Sequence, residues 1–257
     1  MAAVAAFCIF AGLWPFAVLV AVIGALMAYE HATIVFGERI GWQMVLEGAA
    51  LVLAPLSIAA NQPLLGLGVV CLAALISTLS AKSTGQSKRW GGGAVVYIGV
   101  ALMAIVWLRG QPNGLAITLW LCVAIWATDS FAQIVGKSVG GPKLAPITSP
   151  NKTWSGLVGG MAGAAIVGLL AGAILGSSTS NLALLAASGA LVAIIGQLGD
   201  LLESAFKRHF DVKDSSNLIP GHGGVLDRVD GLASAAILAA TAMFLLGTSL
   251  FETTRFG

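Results

Sequence analysis

Stretches of roughly 18 to 20 apolar residues recur along this chain, each long enough to cross a hydrocarbon core of about 30 Å as a helix. No other feature restricts the fold as much. Charge is correspondingly scarce: of 257 residues, 58% are hydrophobic and 9% charged, where soluble domains carry about 25% charged residues. The mean hydropathy is +0.93. The expectation is an all-α, polytopic integral membrane protein of about eight to nine transmembrane helices.

Taken in order, the run at 2–10 is too short to span alone, and Gly12-Leu13-Trp14-Pro15 breaks it. Further runs cover about 16–28, 44–60 and 64–81, with Asn61-Gln62-Pro63 as a turn between the last two. Residues 82–93 (KSTGQSKRWGGG) read as a loop, basic and then glycine-rich. Runs at 94–108 and 115–135 follow, the second enclosing Asp129, and 137–155 reads as a second long loop. The last three runs lie at about 156–175, from Leu182 onward, and at 228–251. This gives N-terminal transmembrane helices over 1–110 and a C-terminal catalytic transmembrane region over 111–257. Cys8, Cys71 and Cys122 sit within apolar runs with no CxxC spacing and read as packing residues. No basic n-region precedes the first run, so a cleaved signal peptide is not expected.

The distribution of charge orients the chain. Alternate loops hold Arg39; Lys82, Lys88 and Arg89; Lys137, Lys143 and Lys152; and Lys207, Arg208, Lys213 and Arg228. The opposite side holds only Arg109 and Arg255. The positive-inside rule therefore puts the three long loops in the cytosol.

Chemistry concentrates in 199–231, where six of the eleven carboxylates fall: Asp200, Glu203, Asp211, Asp214, Asp227 and Asp230. Asp200, Ser204 and Lys207 are spaced i, i+4, i+7 and share one helix face. An ionised carboxylate in a membrane helix needs a partner or a cavity. Asp200 thus either forms a salt bridge to Arg228 or Lys207 or holds a metal ion. Asp227 and Asp230 begin the last run, where carboxylates also serve as helix caps. Before them stands Pro220-Gly221-His222-Gly223-Gly224, whose glycines let the backbone approach an anion closely. Oxygen ligands from Asp200 and Asp227 suit Mg²⁺ better than zinc. Ser149-Pro150-Asn151-Lys152-Thr153-Trp154 reads either as an interfacial cap or as a set of phosphate contacts. Asp129, about two turns inside its run, could bind metal, polarise a base or pair with Lys137.

The segment Ser204–Asp230 (SAFKRHFDVKDSSNLIPGHGGVLDRVD) resembles the signature of phosphatidate cytidylyltransferases, the CDP-diacylglycerol synthases. It carries each fixed position: Ser204, Lys207, Arg208, Lys213, Asp214, Ser216, Pro220, His222, Gly223, Gly224, Asp227, Arg228 and Asp230. Asp129-Ser130 with Ala132 and Gly136, and the Ser149–Trp154 segment, resemble two further family elements, so the similarity is good over about 115–251. Departures are Asn151 for a second lysine, Ser155 for a glutamate, Gln133 for a tyrosine, and no basic lead-in to the first helix.

The resemblance implies transfer of CMP from CTP to phosphatidic acid, giving CDP-diacylglycerol and pyrophosphate. It implies Mg²⁺ on Asp200 and Asp227, with room for K⁺ beside it. The catalytic candidates are Asp200, Asp227, Lys207, Arg208, His222 and Arg228. The substrate-binding candidates are Ser149, Asn151, Lys152, Thr153, Asp129, Ser204, Lys213, Asp214, Gly223, Gly224 and Asp230. The expected setting is the bacterial inner membrane, with the active site facing the cytosol and lipids around it; no nucleic-acid partner is expected, and a homodimer is allowed. The alternatives are a CTP-dependent polyprenol kinase or a cytidylyltransferase for another lipid phosphate. A secondary transporter would show inverted repeats with mid-membrane acids, and no internal repeat is visible. Asp227→Asn should abolish turnover in protein that still folds; near-normal activity of the purified variant would remove Asp227 from the metal site.

Overall fold

The structure, a computed structural model, describes residues 2–37, 41–80, 85–175, 179–219, 221 and 223–247. Among them are nine helices: α1 (Ala2–Ala11), α2 (Leu13–Phe36), α3 (Trp42–Ala59), α4 (Pro63–Ser80), α5 (Gly85–Gly110), α6 (Gly114–Val139), α7 (Trp154–Ile174), α8 (Thr179–His209) and α9 (Leu226–Leu246). All but α1 are long and apolar enough to cross a membrane. The protein is an all-α integral membrane protein with one small departure, the antiparallel hairpin of β1 (Lys143–Ala145) and β2 (Ser149–Thr153). Leu64, Leu79, Ile174 and Phe244 are among many large apolar side chains left exposed, as lipid-facing surfaces require.

The helix ends follow from local chemistry. Gly12, at φ +116°, breaks α1 from α2 in a conformation only glycine adopts readily. Pro15 falls in the first turn of α2, where its missing N–H costs nothing. Gly37 closes α2 in the left-handed region, its N–H donating to Thr33 O at 3.0 Å.

Two loop expectations change. Residues 85–93 are helical and belong to α5, while 82–84 lie outside the described residues. Gly92 serves packing: a Cβ there would lie 2.6 Å from Ala74 O of α4 and also strike Thr78 Oγ1. Trp90 faces Phe206 and His209, with ring centroids 5.8 and 6.1 Å away. The 137–155 loop is likewise partly regular. Helix α6 runs on to Val139, which sets Asp129 about three turns from its end, and the hairpin occupies most of the remainder.

The chain forms two compact units, Met1–Gly110 with Phe206–Val229, and Gln111–Ala205 with Asp230–Gly257. These differ from a division into 1–110 and 111–257 in one respect: most of the signature segment groups with the N-terminal helices.

In the first unit, Phe16, Val20 and Met27 of α2, Leu51 of α3 and Ile98, Leu102 and Val106 of α5 bury against Val225 and Leu226. Arg109 ties the end of α5 to α1, donating from Nη2 and Nε to Ile9 O at 2.9 and 3.1 Å. Glu47, fully buried, accepts from Ser77 Oγ at 2.7 Å and lies 2.8 Å from His31 Nδ1.

In the second unit, α7 lies against α6 through glycines. A Cβ on Gly159 would sit 2.6 Å from Val135 Cβ, and one on Gly163 would sit 2.7 Å from Phe131 Cγ. Small residues that let backbones approach are the usual currency of membrane helix contacts. Gly68 of α4, by contrast, has nothing within 4 Å of such an atom. Gly159→Ala should therefore destabilise the detergent-solubilised protein by about 1–3 kcal/mol. Gly68→Ala should be neutral or stabilising, by up to ~1 kcal/mol of helix propensity; equal thermal midpoints for the two variants would refute glycine-mediated packing.

Candidate active site

In the second unit, a cavity of about 750 Å³ opens between the hairpin, α6, α7 and α8. Its lining includes Asp129, Gln133, Lys137, Lys143, Ser149, Asn151, Lys152, Thr153, Gln197 and Asp200. The hairpin turns the Ser149–Thr153 segment toward it, pairing Lys143 with Thr153 and Ala145 with Ser149. Thr153 also caps α7, its Oγ1 accepting from Gly156 N at 3.1 Å. Ser155 Oγ donates to Gly140 O, and Trp154 N donates to Pro142 O at 3.1 Å, closing the hairpin onto the helix. The segment is thus both a cap and a cavity wall.

Asp200 forms an ion pair with Lys152. Glu203 and Asp230 join it: carboxylate oxygens of the three lie within 4.8 Å of one another. At an effective dielectric of ~20, two carboxylate charges at that distance repel by roughly 3 kcal/mol. Such a trio calls for positive charge, and Lys152 supplies some of it. Asp230 Oδ1 also accepts from Gly231 N at 2.8 Å. The donor set is all hard oxygen, without thiolate or imidazole, and fits Mg²⁺.

In the first unit, a second cavity of about 480 Å³ is lined by Lys207, Asp214, Asn217, Gly221, Gly223, Asp227 and Arg228. Asp227 is firmly held. Its Oδ1 accepts from Lys207 Nζ at 2.5 Å, and its Oδ2 accepts from Gly224 N at 2.8 Å and Ser215 N at 3.0 Å. The glycine pair has a local reason. Gly223 sits at φ +78°, and a Cβ there would lie 2.7 Å from Asp227 Oδ2; one on Gly224 would overlap Ser215 Oγ and Glu30 Oε1. The Gly224 N–H is taken up by Asp227, not left open for an anion.

The remaining sequence candidates divide by setting. Arg208 and Lys213 are exposed, and Arg208 Nη1 reaches Val212 O at 3.5 Å. Ser204 is half-buried on α8 and lines neither cavity. His222 lies outside the described residues. Asp200 and Asp227, expected as a metal pair, are each described in their own unit.

Sequence reasoning passed over Glu203, Gln197 and, above all, Glu30. Glu203 stands i+3 from Asp200, a spacing that puts both on one helix face. Glu30 is a fully buried carboxylate within the α2 span. Its Oε1 accepts from Ser216 Oγ at 2.5 Å and Val225 N at 2.7 Å, and its Oε2 from Leu226 N at 2.8 Å and Ser215 Oγ at 3.2 Å.

Lysines and carboxylates thus gather around both cavities of an apolar, helical membrane protein. The chain belongs to the cytidylyltransferase family, whose sequence profile matches residues 1–246. It is 37% identical over 242 residues to a phosphatidate cytidylyltransferase of Brucella abortus biovar 1 (strain 9-941), covering 90% of this chain and 83% of that protein. The phosphatidate cytidylyltransferase of Bacillus subtilis (strain 168) is 44% identical over 138 residues, 53% of this chain and 51% of that protein. That of Rickettsia bellii (strain RML369-C) is 41% identical over 158 residues, 59% of this chain and 66% of that protein.

Removing the Lys152 ammonium leaves the carboxylate trio to repel. Lys152→Ala should lower the thermal midpoint in detergent and gain more from millimolar Mg²⁺ than the wild type does. A variant with the wild-type response to Mg²⁺ would show that Lys152 does not balance these acids.

Proposed function

We propose that this protein is a phosphatidate cytidylyltransferase, transferring CMP from CTP to phosphatidic acid. The observation that carries the reading is the complete Ser204–Asp230 signature on a chain 37% identical over 90% of its length to an enzyme of that name. A phosphate oxygen of phosphatidic acid attacks the α-phosphorus of CTP. The new P–O bond forms as the bond to the β-phosphate oxygen breaks, and pyrophosphate leaves with that electron pair.

The attacking phosphate is already ionised near neutral pH, so no strong general base is required. The difficulty is bringing two anions together and stabilising charge on the departing pyrophosphate, which preorganised cations do. In this proposal Lys137, Lys143 and Lys152 draw the nucleotide phosphates into the larger cavity. Ser149, Asn151, Thr153, Asp129 and Gln133 offer polar contacts along its wall. Lys207 and Arg228 face the smaller cavity beside Asp227, and Arg208, Lys213 and His222 keep the phosphate-contacting or catalytic roles that the signature suggests. Asp200 and Asp227 remain the proposed ligands of Mg²⁺ on the strength of the sequence, with Glu203 and Asp230 grouped beside Asp200. When bound, Mg²⁺ supplies positive charge to phosphate oxygens and the leaving group.

The lipid phosphate lies at headgroup depth, so the site belongs at one end of the helices. The excess of Lys and Arg around alternate helix ends favours the cytosolic side for that end, and the bacterial relatives suit a bacterial inner membrane.

The test is a CTP-dependent assay on protein purified in detergent, with phosphatidic acid and a polyprenyl phosphate offered side by side. Labelled CDP-diacylglycerol should form from phosphatidic acid alone and stop on Mg²⁺ chelation. Preference for the polyprenyl substrate, or product formation in excess chelator, would overturn the reading.

A further inference from the structure

The described contacts of Asp227 form two layers. Its own oxygens are held by Lys207, the Ser215 and Gly224 backbone and the Ser215 hydroxyl, which lies 3.0 Å from Oδ2. Behind these donors stands Glu30 of α2, 185 residues from Ser215 in sequence. It takes the Ser215 and Ser216 hydroxyls on one side of the Gly-Gly turn and the Val225 and Leu226 N–H groups on the other. The last two are among the first N–H groups of α9, which have no partner inside the helix. A remote carboxylate caps the helix on which Asp227 is the second residue.

We propose that Glu30 is a positioning residue for Asp227: it clamps 215–216 to 225–226 and so fixes the carboxylate that the signature presents to the reaction. The inference rests on the place given to Asp227 under the proposed function. The donor set is specific to a carboxylate: Oε1 receives the Ser216 hydroxyl and the Val225 N–H, and Oε2 the Leu226 N–H with a share of the single Ser215 proton, which also faces Asp227 Oδ2. Glutamine at this position would turn an NH₂ group toward two of them, leaving buried donors facing a donor. Burial alone does not explain the arrangement. Among the described residues, the hydrogen-bond partners of Glu47, equally buried one helix away, are His31 and Ser77, neither of them in the signature.

The experiment compares Glu30→Gln, Ser216→Ala and Glu47→Gln in detergent. Each is normalised to folded protein by size-exclusion profile and helical circular dichroism. Hydrogen exchange is followed over the peptides spanning 212–228, and kcat and the Michaelis constant for CTP are measured separately. Glu30→Gln should speed exchange in those peptides and lower kcat by roughly tenfold to a hundredfold, the range seen when outer-shell supports of a ligand are lost. The Michaelis constant should move little. Ser216→Ala removes one donor without touching Asp227 and should give a smaller loss, roughly twofold to tenfold. Glu47→Gln should lower stability while leaving kcat per folded molecule unchanged.

If Glu30→Gln does not fold, Ser216→Ala decides: wild-type kcat and exchange in that variant overturn the proposal. So does wild-type kcat in folded Glu30→Gln, or an equal loss of kcat in Glu47→Gln. A wild-type protein that makes no CDP-diacylglycerol would count against the proposed function instead, and the exchange data would still test the clamp.

Discussion

A carboxylate placed within an apolar helix must bring its donors with it, because lipid offers none. That requirement organises both units of this protein. Glu30 meets it with two hydroxyls and two backbone N–H groups, and Glu47 with a histidine and a serine. Asp227 meets it with Lys207 and two N–H groups, and Asp200 with Lys152. None of these partners is a sequence neighbour within a turn or two except the Gly224 N–H of Asp227. Satisfying the acids therefore draws distant segments together, and the same contacts that make the charges tolerable place the groups suited to phosphate chemistry.

The two units use this rule differently. In the first, a compact signature loop is anchored from beneath by α2 and the start of α9, and the smaller cavity is walled by its charged residues. In the second, a hairpin whose ten residues from Lys143 to Lys152 include β1 and most of β2 leans a lysine toward acids on α8 and α9. One unit fixes an acid rigidly among donors. The other sets three acids beside a largely buried ammonium paired with one of them.

Much of this was legible in the residues. Uninterrupted apolar runs located the helices, although α2 continues eight residues past its run to Phe36 and α5 begins nine residues before its own, and the density of charge after Gly199 marked acids that the fold gathers with lysines. Residues 85–93 were misread because glycine and charge suggest a loop, whereas Gly92 serves a close approach to α4. The hairpin was illegible: its strands are three and five residues long, and Pro150 interrupts any alternation. Glu203 could have been found from its spacing to Asp200. Glu30 stands just beyond the 16–28 run, where an acid reads as the start of a polar connection, and its partners lie beyond any local pattern, nearly two hundred positions away.

The bare face that α7 turns to α6 reaches further than packing. With Gly156, Gly159, Gly160 and Gly163 in successive turns, that seam has almost no side-chain atoms of its own to yield when something is displaced. The hairpin feeds directly into α7 at Trp154, so the seating of Lys152 over its acids is inherited from missing methyl groups up to three turns away. A single added carbon on that seam would then disturb the seating of Lys152 while leaving every charged residue in place.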